Sequence, residues 1–101
     1  MIVIERMIQK VVPGKWAALE AVDKKFDALE SRVGFPAKKR FQCIIGSHDS
    51  NTLVIERQWP SLAVMEATYD KVMGGPEYQA LSAELVGIVE SSQIEVYMQL
   101  R

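Results

Sequence analysis

Apolar positions along this chain switch between two periods, and each switch marks a new element. Residues 1–12 are rich in isoleucine and valine, and β-branched residues favour the pleated backbone of a strand. Pro13-Gly14 closes this run, because proline cannot donate to a ladder and suits a first helical turn. Trp16, Leu19, Val22, Phe26, Leu29 and Val33 then recur at spacings of three and four, which puts them on one face of a helix. Lys15, Glu20, Asp23, Lys24, Asp27 and Glu30 take its other faces. Gly34 predicts a left-handed cap and Pro36 a stop. A second strand is predicted over 38–46, a turn over the tract Gly46 to Asn51, and a third strand over 52–59. Ser61 supplies the N-cap of a second helix with Leu62, Met65, Tyr69 and Val72 as its stripe. Met73-Gly74-Gly75-Pro76 interrupts it, and Tyr78, Leu81, Leu85 and Val89 carry it on. Ser91-Ser92 ends the helix, and the alternation from Gln93 to Leu100 predicts a final strand.

The order β-α-β-β-α-β is that of a ferredoxin-like α+β domain, here one domain over 1–101 with a four-stranded antiparallel-type sheet and its helices on one face. The tetrapeptide Val-Ile-Glu-Arg occurs in both central strands, at 3–6 and 54–57. Right-handed crossovers are expected to make these two strands parallel neighbours. The Ile/Leu sides of the strands are expected under the helices: Ile2, Ile4 and Ile8 in the first, Leu53, Ile55 and Trp59 in the third, Ile94, Val96 and Met98 in the last. The opposite face then collects Val3, Glu5, Met7, Gln42, Ile44, Val54, Glu56, Glu95, Tyr97 and Gln99. That mixture is too apolar for a wet surface and too polar for a dry core. A second copy of the chain, packed on this face by a two-fold axis, would cover it and leave a semi-polar cavity between the sheets.

Charge and composition narrow the function classes. The net charge is −1, and Lys38-Lys39-Arg40 is too short a cluster for a nucleic-acid stripe. A single cysteine, Cys43, excludes an intrachain disulfide and suits a reducing, cytoplasmic setting. Glu5 and Arg6 interrupt any signal-peptide core, and no apolar stretch approaches the ~20 residues of a membrane helix. One histidine, His48, and one cysteine in different elements make no zinc constellation, so neither metal nor cofactor is expected.

The early strand leading into Pro13-Gly14-Lys15, the block Thr52 to Leu62 and the helix start Gly75-Pro76-Glu77-Tyr78-Gln79-Ala80-Leu81 together resemble the dimeric α/β-barrel superfamily, and within it the NIPSNAP-like proteins most closely. The resemblance covers essentially the whole chain. It implies two ferredoxin-like protomers packed sheet to sheet around a ligand cavity. The superfamily also includes antibiotic-biosynthesis monooxygenases, which need no cofactor, and haem-degrading monooxygenases. The latter use a first-strand asparagine, a tryptophan ending the third strand, and an axial histidine on the second helix. Trp59 falls where that tryptophan would be. The first strand offers Glu5, Arg6 and Met7 instead of asparagine, and the second helix reads Gln79-Ala80-Leu81-Ser82 without histidine, so haem iron has no anchor.

The candidate chemistry is therefore sparse. Glu5 and Glu56, on parallel neighbouring strands, would lie ~5 Å apart on one face, an arrangement that either pairs each carboxylate with an arginine or a partner chain's group at the dimer seam, the commoner case, or tunes a general acid or base. Met7, Gln42, Trp59 and Tyr97 are the candidate ligand-binding residues. Three functions remain: a homodimer binding a small organic molecule, a cofactor-independent monooxygenase or related enzyme with a carboxylate base, and a purely structural dimer.

Overall fold

The computed structural model describes residues 1–101 as β1 (Val3–Val11), α1 (Trp16–Val33), β2 (Lys38–Gln42), β3 (Thr52–Trp59), α2 (Leu62–Asp70), α3 (Pro76–Glu84) and β4 (Val89–Met98). The strands form one sheet in the order β2-β3-β1-β4, and every neighbouring pair is antiparallel. The α1 stripe folds as its spacing predicts, with Leu19, Val22, Phe26 and Leu29 buried. Gly34 takes φ 98°, a left-handed cap, and its N–H reaches back to the Glu30 carbonyl. Ser61 caps α2 through a hydrogen bond from the Val64 N–H at 3.1 Å. The interruption near Gly74-Gly75 divides the second helical segment into α2 and α3. No helix is long and apolar enough to cross a membrane.

Two apolar clusters hold the layers together. Val11, Leu19, Leu53 and Ile55 join α1 to the two central strands. Val22, Phe26, Leu29, Val72 and Leu81 join α1 to the α2–α3 segment.

Three strand expectations need correction. β2 stops at Gln42, so Ile44 and Ile45 belong to the loop and are exposed. β4 begins at Val89, and α3 ends at Glu84. Most consequentially, β1 and β3 are antiparallel: Glu5 faces Arg57 and Arg6 faces Glu56. The crossover through α1 makes β1 parallel to β2, which lies two places away, and the β2–β3 hairpin then reverses β3.

The register also decides which side of β1 is inside. Val3, Glu5, Gln9 and Val11 are buried, with Met7 half-buried between them, and these residues lie beneath the helices. Ile4, Arg6 and Ile8 take the open face, the reverse of the expectation. In β3 the expected side holds: Leu53, Ile55, Arg57 and Trp59 are buried, and Val54 and Glu56 face away. The parity of β1 follows from that of β3, because directly opposed residues share a face. Arg57 on the helix side brings Glu5 with it. The β4 register shift at Lys10/Val11 lies too late in the strand to account for the inversion. Ile94 and Val96 of β4 pair with Met7 and Glu5 and so share their side. They stay exposed, because β4 is the sheet edge and the helices do not cover it.

Candidate functional site

The two Val-Ile-Glu-Arg copies, run antiparallel, build two ion pairs on opposite faces of the sheet. On the open face Arg6 Nε donates to Glu56 Oε2 at 2.8 Å, and the Arg6 guanidinium lies 4.9 Å from the centre of the Tyr97 ring. The Tyr97 hydroxyl donates to Glu95 at 2.5 Å. On the helix side Trp59 Nε1 donates to Glu5 Oε1 at 3.0 Å, and the Tyr69 hydroxyl donates to Glu5 Oε2. Arg57 Nη1 lies 3.8 Å from Glu5 Oε1, and its Nη2 pairs with Glu30 Oε1. The Glu5–Glu56 acid–base pair on one face is therefore corrected: the two carboxylates are separated by the sheet, and each meets an arginine, as the structural alternative expects.

The network continues along α1 and β2. Lys38 Nζ contacts Glu30 at 3.2 Å and Asp27 at 3.0 Å, and Arg40 bridges Asp27 and Asp23, both at 3.0 Å. Asp23, assigned from its spacing to a solvent face, is buried. Burial pushes its carboxyl above the usual range, with Lys38 and Arg40 opposing the shift. Phe35, Trp59 and Tyr69 close over the inner end: Phe35 meets the Trp59 ring at 5.5 Å and the Tyr69 ring at 4.9 Å, and the Arg57 guanidinium lies 5.0 Å from the Phe35 centroid.

Beside this network lies a cavity of about 420 Å³ between the helices and the sheet. Its floor is Met7 and Ile55, directly opposed on β1 and β3, with Gln9 and Arg57 beyond them at either end. Phe26, Tyr69, Tyr78 and Leu85 supply much of its roof. Exposed Val86, Ser92 and Ile94 mark the opening beside β4. Burial, followed by the bond to Glu5, raises the Tyr69 hydroxyl far above its ordinary value. Burial and then the nearby Glu30 raise that of Tyr78. Both tyrosines thus present neutral hydroxyls at neutral pH.

The sequence candidates are dispersed by this geometry. Met7 lines the helix-side cavity. Trp59 is 1% exposed and anchors the core through its bond to Glu5. Gln42 reaches the Ser50 carbonyl at 2.7 Å and stands apart from the cavity, and Tyr97 lies on the open face. Sequence reasoning missed Gln9, Arg57, Tyr69 and Tyr78 as cavity residues. The available signal was the hairpin: reversing β3 puts Glu5 opposite Arg57 and moves Met7 and Gln9 under the helices.

The strand order and the helices on one face define a ferredoxin-like α+β domain. No protein-family model matches the chain, and no curated protein matches it in sequence. Among solved structures it is similar to a NIPSNAP family protein from Agrobacterium tumefaciens (TM-score 0.79, 20% identity, 98% of this chain and 86% of that one). It is also similar to an uncharacterized NIPSNAP-like domain protein from Burkholderia xenovorans (TM-score 0.82, 15% identity, 98% and 85%). A second Agrobacterium tumefaciens NIPSNAP family protein, of unknown function, gives TM-score 0.79 at 17% identity over 99% and 89%. The resemblance read from the residues therefore holds for the fold.

Proposed function

We propose that this chain is a homodimer in which each protomer binds a small organic molecule between its helices and its sheet. The observation that carries the reading is the cavity itself. A depression on the open face is as large, about 490 Å³, but is more open, whereas the helix-side cavity combines an apolar floor at Met7 and Ile55 with a few buried polar groups, as ligand sites do. The site anticipated between two sheets moves in this reading to the helix side, where Glu5, Met7 and Gln9 face.

Binding is favoured over acid–base catalysis by the state of the two glutamates. Both Glu5 oxygens already accept hydrogen bonds, and Glu56 is paired with Arg6 on the far side of the sheet. Neither stands free to take a proton from a substrate.

The open face supports the dimer. Ile2, Ile4, Ile8, Phe41 and Val54 gather there around the Arg6–Glu56 pair, with no helix over them. An uncovered apolar sheet face is the usual mark of a docking surface, and a two-fold isologous contact is its commonest cover. Val54→Asp places a carboxylate in this face without touching the helix-side core. Sedimentation equilibrium at micromolar concentration is expected to give a dimer for the wild type and a folded monomer for the variant. A monomeric wild type under these conditions contradicts the reading.

A further inference from the structure

The cavity contains two polar side chains that the fold leaves incompletely paired. Gln9 is 6% exposed; its Nε2 touches only the Met7 sulfur at 3.2 Å, and its Oε1 has no partner. Arg57 is 5% exposed; its terminal nitrogens are engaged by Glu5, Glu30 and Tyr69, but its Nε has no partner. A buried polar atom without a partner is unfavourable, so such atoms, just beneath the surface on residues that line a cavity, point to what the cavity takes.

Their placement sets the spacing of a ligand. Arg57 faces Glu5 across the β1–β3 ladder, and Gln9 lies four residues further along β1 on the same side, about 13 Å away along the strands. Met7 and Ile55 fill the interval with apolar surface. The Arg57 Nε is a donor only and calls for an acceptor oxygen. The Gln9 amide can turn over to present either half, so it accepts from or donates to a hydroxyl.

Charge decides the ligand's ionisation. The wall carries Asp23, Glu30 and Glu90 against Lys38 and Arg57. Lys38 is already held by Asp27 and Glu30, and Arg57 by Glu5 and Glu30. No cation is left to neutralise a buried anion, and an unpaired buried charge is strongly disfavoured.

Building on the proposed small-molecule function, we infer that the cavity is built for a neutral, elongated molecule of roughly a dozen non-hydrogen atoms, with a carbonyl-type acceptor at the Arg57 end, an apolar or aromatic middle on Met7 and Ile55, and a hydroxyl at the Gln9 end. Both unpaired atoms are covered in the present arrangement. Met7, unbranched and in contact with Gln9, is the side chain that swings aside to admit the hydroxyl.

The test is calorimetric titration of the full chain with four probes of similar size. These are para-hydroxybenzylacetone, benzylacetone, para-hydroxyphenylpropionate and butylbenzene. The hydroxy-ketone is expected to bind at least about tenfold more tightly than each of the others, the weight of one neutral hydrogen bond or more. Gln9→Met is expected to bring the affinity ratio of the hydroxy-ketone to benzylacetone down to about one, whatever it does to the affinity of either alone. In a crystal of the complex the ketone oxygen should reach Arg57 and the hydroxyl should reach Gln9. Equal or tighter binding of the propionate, a hydroxyl preference that survives Gln9→Met, or ordered waters held on both atoms beside the bound probe would overturn the inference. If the hydrocarbon or the acid enters the cavity best, the polarity argument fails and the binding function stands. If none of the four binds there, both fall.

Discussion

Arg57→Met is expected to destabilise the protein by about 3–5 kcal/mol, as removing one partner of a buried ion pair does. Arg57 is 5% exposed and is the cation shared by Glu5 and Glu30. Glu5 is itself buried, so the variant leaves a carboxylate under the helices with only Trp59 and Tyr69 as donors. The loss is a large share of the ~5–15 kcal/mol that holds a domain of this size together. Urea denaturation checks it, and the Glu5→Gln/Arg57→Met cycle apportions it. The double variant should be less destabilised than the sum of the singles by roughly 1–3 kcal/mol, because the charge that Arg57 compensates is then gone. A single-variant cost below about 1 kcal/mol would place the pair with the weak surface bridges.

Trp59→Ala is expected to cost a similar ~3–5 kcal/mol, for a different reason. The side chain is 1% exposed, packs edge-on to Phe35 at 5.5 Å and donates to Glu5 at 3.0 Å. Alanine removes the volume, the aromatic contact and the donor together. Trp59→Phe separates them: most of the ring remains, and the loss should fall to about 1–3 kcal/mol, the cost of leaving a buried acceptor short of its donor. Equal losses for the two variants would show that the hydrogen bond, rather than packing, carries the effect.

The elements were legible wherever one face decided the pattern. The α1 stripe, the Gly34 cap, the Ser61 cap and the break at Gly74-Gly75 rest on local spacing and backbone chemistry, and each is found where the spacing places it. The boundary between α3 and β4 was less legible, because Leu85 and Val89 continue a helical spacing although β4 begins at Val89. The side of β1 was misread for a reason that lies outside any window of sequence. Counting isoleucines favours Ile4 and Ile8 as the inner face, whereas the cross-strand partner of Glu5 is Arg57, and that pair is satisfied only on the helix side. A glutamate became an inner residue because tryptophan, tyrosine and arginine from other elements meet it there. The site was hidden for the same reason. Its residues come from all four strands and all three helices, and only the antiparallel register brings Met7, Gln9 and Arg57 to one floor.

Methyl NMR distinguishes a ligand bound on the helix side from one bound on the open face. Met7 and Ile55 lie on that side, and Ile4 and Ile8 lie on the open face, where a shallower depression borders Ile8, Phe41 and Val54. With the methyl groups isotopically labelled, intermolecular NOEs from bound benzylacetone or para-hydroxybenzylacetone are expected to Met7 and Ile55 and not to Ile4 or Ile8. NOEs confined to Ile4 and Ile8 would place the ligand between two sheets and contradict the account.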